Sequence, residues 1–234
     1  MRKRSQVTLR GRVAVISPHL DDGVYSLGAA ISEGARSGAD ISIITVFAGD
    51  PDSDRAASPW DRHLGFRSAR EAARARREED RRACALLGAL PVWLPFEDEH
   101  GRATADDELW SSIQQAVDQA DTVLVPGFPL DHDDHLRLAR IALAGGFGTK
   151  RVALYAEQPY AAVRKQRPSL PGALASLVGG EPHWQALNAE VPARWRKLRA
   201  WRAYRSQFPH FGYRSLMNVL RYEARHGGEL TTLR

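Results

Sequence analysis

The sequence predicts an α/β protein with a Rossmann-like, doubly wound and mostly parallel sheet, followed by an irregular cap segment toward the C-terminus. Short apolar runs of strand length recur along the chain and are typical of strands buried on both faces. Helix-like stretches separate them, which gives the order β-α-β-α-β-α-β-α-β. With 234 residues, 43% of them hydrophobic, the chain can bury the core of one such domain. We expect a flexible basic tail at 1–10 and a single domain at 11–234.

The elements of the first half follow from local composition. The predicted elements are a strand at 13–16, a helix at 23–31, a break at 34–38, a strand at 40–48, a loop at 49–65, a helix at 66–87 and a strand at 91–95. The second strand is rich in β-branched residues, which favour sheets. The third predicted helix is dense in Arg, Glu and Ala, and Gly88 follows it as a C-terminal cap.

The second half continues the alternation and then loses it. The predicted elements are a helix opening at Thr104 and running to residue 120, a strand at 122–126, a helix at 136–144 and a later helix at 192–207. Residues 161–192 contain prolines and glycines without helical or strand periodicity, and we expect them to form a variable cap near the mouth of the site. The final residues carry no clear signal.

Clusters of His and Asp follow two of the predicted strands. His19 and Asp22 lie just after the first strand, three residues apart, and can converge on one point as nitrogen and oxygen ligands. The sequence HDDH at 132–135 follows the fourth strand. In an open parallel sheet the carboxyl ends of neighbouring strands share one edge, so we expect the clusters to meet. Two His and one Asp with a position left for water indicate a catalytic zinc site.

These motifs resemble those of a known family. HLDD at 19–22 and HDDH at 132–135 resemble the paired HPDDE and HPDH or HxDH motifs of the PIG-L/LmbE-like zinc N-deacetylases. Three further segments are similar to family motifs in the same order: RREE at 76–79 before ACALLG at 83–88, LYAEQPY at 154–160, and YRSQ at 204–207. The resemblance covers roughly residues 11–210. Leu20 and Gly23 depart from the family pattern, which has Pro and Glu there.

The resemblance implies a metal centre and a base. It assigns His19, Asp22 and His135 as ligands of Zn²⁺, with another divalent transition metal as an alternative. Asp21, next to a ligand but pointing elsewhere, corresponds to the family's general base. Amide hydrolysis needs an activated water and stabilisation of the oxyanion, which such a site supplies.

Further residues receive roles from the same resemblance. His132, with Asp134 as an orienting partner, is expected to stabilise the oxyanion or to protonate the departing amine. Arg76 is expected to hold substrate hydroxyls or phosphate, although its helix spacing equally fits a surface ion pair. Asp98 is expected to line the substrate pocket, although an acidic loop residue is more often simply solvated. Asp133 receives no role.

The expected function is therefore removal of an N-acetyl or similar N-acyl group from an amino sugar or a metabolite that contains one. Family members often act in antibiotic or thiol biosynthesis, which suggests secondary metabolism. Two alternatives remain open. The same zinc site could serve amide cleavage of a thiol conjugate or a hydration, or the protein could be a sugar-binding relative without catalytic activity.

Composition bears on partners and location. The net charge is +5, but the basic residues are mostly arginines interleaved with Asp and Glu along helices, so we expect no nucleic-acid partner. No apolar run is long enough to cross a bilayer, and we expect no membrane partner and a cytoplasmic, soluble protein. The lone Cys84 lies in an apolar helical pattern and is expected to be a buried thiol. The expected partner is a small-molecule substrate, and a homo-oligomer is left open.

Overall fold

The structure, a computed structural model, describes residues 7–52, 55–98, 104–165, 168–180 and 182–232, apart from the side chains of residue 173 and residues 208–211. Within this part of the chain the strands are β1 (Arg12–Ser17), β2 (Asp40–Thr45), β3 (Leu90–Trp93), β4 (Thr122–Phe128), β5 (Arg151–Ala156), β6 (Gln185–Ala186) and β7 (Leu230–Thr231). The helices are α1 (Asp22–Arg36), α2 (Pro59–His63), α3 (Ala69–Leu87), α4 (Asp106–Ala116), α5 (Asp133–Gly145), α6 (Tyr160–Arg164), α7 (Gly172–Val178), α8 (Val191–Trp201) and α9 (Phe208–His226).

The described strands form one sheet in the order β3-β2-β1-β4-β5-β7-β6. The first five strands of that order pair in parallel, and β7 is antiparallel to both β5 and β6. The chain winds outward from β1 in one direction and from β4 in the other, so the switch point of the topology lies between these two strands. Ligands of open α/β sheets bind in the crevice at such a point. The α/β, mostly parallel fold class is therefore confirmed.

The central strands are buried on both faces. Along β1, Val13 and Val15 pack into one hydrophobic layer, whereas Ala14 and Ile16 pack into the other. Successive side chains of a strand point to opposite faces, and both faces of β1 are covered. The helices α1 and α8 contribute Tyr25 and Trp201 to the first of these layers. The continuous apolar run 13–16 therefore predicted a fully enclosed strand correctly.

The first helix differs from its expected bounds. It begins at Asp22 and continues through Gly34 to Arg36, where the sequence predicted a break. A Cβ atom on Gly34 would lie 3.0 Å from Ile41 Cδ1 and 3.0 Å from Leu9 Cβ. The glycine is therefore explained by close packing of the helix against β2 and the N-terminal segment, and it does not end the helix.

The C-terminal part contains more regular structure than the sequence predicted. The segment 161–192 includes most of α6, all of α7 and all of β6. The helix α9 and the strand β7 were not predicted at all. The strand β7 is two residues long and joins the sheet through the pairing of Tyr155 with Thr231, and such a short, non-local contact leaves no periodicity in the sequence. Among the described residues, no helix has both the length and the apolar character needed to cross a bilayer.

Candidate active site

The turn that follows β1 is closed by its own side chains. Ser17 Oγ donates to the carbonyl of His19 at 2.7 Å and accepts from the Gly23 amide at 2.9 Å. The His19 amide donates to Asp22 Oδ2 at 2.9 Å. These bonds hold the side chains of His19 and Asp22 at the entrance to α1. A Cβ atom on Gly23 would lie 3.2 Å from Ile43 Cγ2 and 3.3 Å from Ser17 Oγ, so this tight turn favours glycine where the family pattern has Glu.

Three atoms from the two polar clusters converge at the edge of the sheet between β1 and β4. His19 Nδ1 lies 3.1 Å from His135 Nε2. Asp22 Oδ2 lies 3.4 Å from His19 Nδ1 and 3.3 Å from His135 Nε2. In a tetrahedral zinc site with bonds of about 2.0–2.1 Å, neighbouring ligand atoms lie about 3.3 Å apart. The triangle of two nitrogens and one oxygen therefore has the dimensions of one face of such a site.

Two carboxylates hold the outer nitrogens of these rings. Glu157 Oε1 lies 2.6 Å from His135 Nδ1, and Asp134 Oδ2 lies 3.1 Å from His19 Nε2. Because each outer nitrogen donates its proton to a carboxylate in the neutral ring, the inner nitrogens keep their lone pairs and face Asp22. Three lone-pair donors that face one another at 3.1–3.4 Å repel unless a cation lies between them. The residues present therefore fit a divalent metal ion.

In the metal-free protein the two histidines bind protons more tightly than free imidazoles do. Burial lowers the pKa of His19, but hydrogen bonds to Asp134 and Asp22 outweigh it and raise that pKa to about 9. Burial also lowers the pKa of His135, and the charges of Asp22 and Glu157 outweigh it and raise the pKa to about 11. Burial raises the pKa of Asp22, yet the charge and hydrogen bond of His135 and the contacts with His19 bring it below its usual value. The site thus attracts positive charge, whether it comes from protons or from a metal.

Asp21 lies beside the triangle and is held in an unusual backbone conformation. Its φ is 140°, a positive value that few residues other than glycine adopt. Its side chain is buried, and burial followed by the charge of Asp22 raises its pKa. A carboxylate with a raised pKa accepts a proton more readily than an exposed one does. Asp21 and the neighbouring Asp22 therefore have pKa values shifted in opposite directions.

His132 lies at the start of α5 and completes a group of three histidines. Its ring centroid lies 5.1 Å from that of His19 and 5.3 Å from that of His135, and a nitrogen from each of the three lies within 4.8 Å of the others. His132 Nδ1 accepts the Asp134 amide at 3.2 Å as a helix cap, so the neutral ring carries its proton on Nε2. Asp134, expected to orient His132, lies 3.8 Å from His132 Nδ1 and is closer to His19.

The two residues expected to contact substrate have different surroundings. Arg76 forms an ion pair with Asp61, which is buried on the short helix α2 and lies 15 residues earlier in the chain, so this pair is not the surface pair between successive helix turns that the spacing also allowed. Asp98 is exposed in the loop after β3. The neighbouring family motifs do meet each other, because Ser206 donates to Glu79 through its amide at 3.0 Å and its hydroxyl at 2.6 Å.

Two residues near the site received no role from the sequence. Glu157 is fully buried and, besides holding His135, accepts the Leu130 amide at 3.1 Å. The Tyr160 ring stands edge-on to the His135 ring at 5.8 Å. The signal for Glu157 was a carboxylate directly after a buried strand, at the same carboxyl edge of the sheet where the His/Asp clusters follow β1 and β4.

Several known proteins of similar sequence or structure are deacetylases. The chain is 34% identical over 175 residues to the 2'-N-acetylparomamine deacetylase of Streptomyces fradiae, covering 66% of this chain and 60% of the relative, so it spans less than two thirds of that relative's length. The A40926 pseudoaglycone deacetylase Dbv21 has a similar structure, with a TM-score of 0.77 and 26% identity over 96% of this chain and 97% of that one. The zinc-inhibited form of the teicoplanin deacetylase Orf2 also has a TM-score of 0.77, with 25% identity over 94% and 96%.

The family itself is shown by a match that includes both His/Asp clusters. Residues 14–145, more than half of the 234 residues, match the protein family described as "PIG-L: GlcNAc-PI de-N-acetylase". This confirms the resemblance drawn from HLDD and HDDH. The chain therefore belongs to the PIG-L family.

Proposed function

We propose that this protein is a zinc-dependent N-deacetylase, a hydrolase of a linear amide C–N bond. The substrate is an N-acetylated, or similarly acylated, amino sugar or a metabolite that contains one. The observation that carries the proposal is the triangle of His19 Nδ1, His135 Nε2 and Asp22 Oδ2, with sides of 3.1–3.4 Å, next to the buried Asp21. Its support from relatives is that the 2'-N-acetylparomamine and teicoplanin enzymes are deacetylases.

Three residues of the triangle would hold the ion. We assign Asp22, and not His132, as the third ligand beside His19 and His135. Its Oδ2 lies 3.4 Å from His19 Nδ1 and 3.3 Å from His135 Nε2, which is the spacing of neighbouring ligand atoms in a zinc site. When bound, the ion supplies an acidified water and polarises the carbonyl of the amide. Glu157 and Asp134 fix the orientation of the two imidazole ligands.

Two residues of this chain move protons. Asp21 takes a proton from the attacking water as the oxygen adds to the carbonyl carbon. His132, whose ring lies beside those of His19 and His135, donates its Nε2–H to the negative oxygen that develops on the former carbonyl. As the C–N bond breaks, the proton that Asp21 took from the water passes to the leaving nitrogen, which departs as a free amine together with acetic acid.

Substrate selection falls to the rim of the site. We assign the segment 161–192 as the cap, and Asp98 and the Arg76–Asp61 pair as outer contacts for sugar hydroxyls. Tyr160, the first residue of α6, packs beside His135 and connects this cap to the metal centre. Cytoplasmic location and a homo-oligomeric state remain predictions.

The decisive assay is acetate release by the metal-loaded protein from a panel of N-acetylglucosamine derivatives and N-acetylated aminoglycosides. We expect release from at least one amino sugar, abolished by a chelator and restored by zinc. Because the similar Orf2 has a zinc-inhibited form, the assay is run at one equivalent and in excess of zinc. Metal binding without release from any member would favour a different reaction at the same site. Sugar binding without any bound metal would favour a non-catalytic relative.

A further inference from the structure

A pocket between α6 and α9 has no role in the proposed reaction. It is a shallow pocket of about 100 Å³, lined by Ala162, Lys165, Asn218, Arg221, Tyr222 and Arg225. Its lining includes three cationic side chains and no carboxylate. None of its lining residues belongs to the metal centre, and only Ala162 and Lys165 lie in the cap segment 161–192.

The spacing of the α9 residues explains why they share the pocket. Asn218, Arg221, Tyr222 and Arg225 stand at positions i, i+3, i+4 and i+7, which form one face of a helix. The helix α6 lies against α9 and contributes Lys165 from its C-terminal end. A cation near the end of α9 is favoured by the helix dipole, which accounts for Arg225. The dipole does not account for Arg221, which lies more than a turn farther in, or for Lys165 on another helix.

The charges of this pocket are not neutralised by the protein. Within the described residues, the side chains of Lys165, Arg221 and Arg225 have no ion-pair or hydrogen-bond partner. The adjacent Arg164 behaves differently, because its Nε donates to Asp131 Oδ2 at 2.6 Å and its Nη2 pairs with Asp131 Oδ1 at 2.5 Å. The unpaired cations therefore converge on the pocket, while their neighbour is bound to a carboxylate.

The pocket combines a cationic rim with an apolar floor. Lys165, Arg221 and Arg225 are exposed at the rim, whereas Ala162 and Tyr222 are buried beneath them. A cleft lined by charge of one sign concentrates counter-ions. Each guanidinium group can form two parallel hydrogen bonds to two oxygens of one phosphate or carboxylate. The lysine ammonium supplies a further positive charge and further donors.

We propose that this pocket is a binding site for a small molecule that carries an oxyanion, such as a phosphate ester. Arg221 and Arg225 bind its anionic oxygens from α9, Lys165 binds them from α6, and Asn218 donates a neutral hydrogen bond. The site is separate from the triangle of metal ligands, so its occupation does not depend on the deacetylase proposal.

The test is isothermal titration of the purified full chain at low ionic strength with inorganic phosphate, glucose 6-phosphate and glucose. We expect one saturable site for the phosphates and none for glucose. Replacing both Arg221→Gln and Arg225→Gln removes two charge-assisted contacts and should weaken binding by about tenfold or more. Tighter binding of glucose 6-phosphate than of inorganic phosphate would identify a sugar phosphate as the ligand, and equal binding would identify free phosphate.

The matched control is Arg214→Gln, which removes an exposed arginine from the same helix outside the pocket. All three arginines are exposed, so their replacement leaves the core unchanged, and thermal unfolding of each variant verifies this. Phosphate can also bind a metal, so binding that survives in the double variant would overturn the proposal. Equal weakening by Arg214→Gln would overturn it as well, because the attraction would then come from net charge alone. So would the lack of saturable binding to the unaltered protein.

Discussion

His19 Nδ1 and His135 Nε2 lie 3.1 Å apart although 116 residues separate them along the chain. The parallel pairing of β1 with β4 brings their carboxyl ends together, and each histidine follows one of these strands. Asp22 lies within 3.4 Å of both nitrogens and completes the set of donors.

Asp21→Asn should retain zinc and lose turnover. The substitution removes the proposed base while keeping the size of the side chain, and Asn tolerates a positive φ better than Ala does. General-base catalysis contributes about 10²- to 10⁴-fold, so acetate release should fall by that factor at equal zinc content. Asp133→Asn is the matched control, since Asp133 is an exposed carboxylate at the start of α5. Unchanged turnover in Asp21→Asn would remove this residue from the mechanism.

Glu157→Gln should weaken zinc binding. Glu157 accepts from His135 Nδ1 through Oε1 and from the Leu130 amide through Oε2. Gln has a single acceptor oxygen, so it loses one of these bonds, and it lacks the charge that makes the imidazole a stronger ligand. Loss of such a partner costs about 10- to 100-fold in metal affinity. Competition with a chromophoric chelator measures the change, and Glu78→Gln on α3, a half-buried glutamate, is the control. Equal affinities of both variants and the unaltered protein would show that Glu157 serves packing alone.

Zinc affinity and the stability of the metal-free protein should respond to pH in opposite directions. In the metal-free fold the pKa of His19 is about 9 and that of His135 is about 11. In the unfolded chain both imidazoles have a pKa of about 6.5, so the fold holds protons that the unfolded chain has already released. The resulting stability is complete below pH of about 6.5 and is lost as pH rises through about 9 and then about 11. Zinc displaces these protons, so its binding tightens over the same range.

Denaturant unfolding of chelator-treated protein at several pH values measures the first effect, and chelator competition measures the second. Replacing His63, an exposed histidine on α2, by Gln provides a control that should leave both curves unchanged. Zinc affinity that does not change across this range would mean that zinc does not displace protons from the ring nitrogens of His19 and His135.

Lys197→Met should destabilise the fold. Lys197 Nζ lies 2.5 Å from Glu223 Oε1 and 2.5 Å from Glu229 Oε1 in a buried cluster. Glu229 also accepts the amides of Ala29 and Ala30 at 2.9 and 2.7 Å, which joins the C-terminal segment to α1. Removing one partner of a buried ion pair leaves uncompensated charge and costs about 3–5 kcal/mol in the free energy of unfolding.

Urea titration followed by circular dichroism measures this free energy, with Arg199→Gln on the exposed face of α8 as the control. A loss no larger than that of the control would show that Glu223 and Glu229 become protonated or find other donors at little cost.

Much of the centre of the molecule was predictable from sequence because its signals are local. The run at 13–16 is apolar without interruption, and β1 is enclosed on both faces. Each His/Asp cluster directly follows a strand, so the parallel sheet alone brings the clusters together. The three-residue spacing of His19 and Asp22 suggested that both are metal ligands. In the structure Asp22 Oδ2 lies 3.3 Å from His135 Nε2, the spacing of two ligand atoms on one ion.

The rest depended on contacts between distant segments. Nothing near Asp134 indicates that its closer imidazole is His19, 115 residues away, and not its neighbour His132. The contact of Arg76 is with Asp61 on α2, a five-residue helix in a stretch that the sequence predicted to be a loop. The strand β7 is held by pairings with β5 and β6 and by no propensity of its own.

The most direct test of the metal centre is a crystal structure of the zinc-loaded protein with anomalous diffraction at the zinc absorption edge. We predict one strong peak bound by His19 Nδ1, Asp22 Oδ2 and His135 Nε2 at about 2.0–2.2 Å. A peak bound by the three histidines without Asp22, or a zinc ion located away from the ends of β1 and β4, would contradict the account.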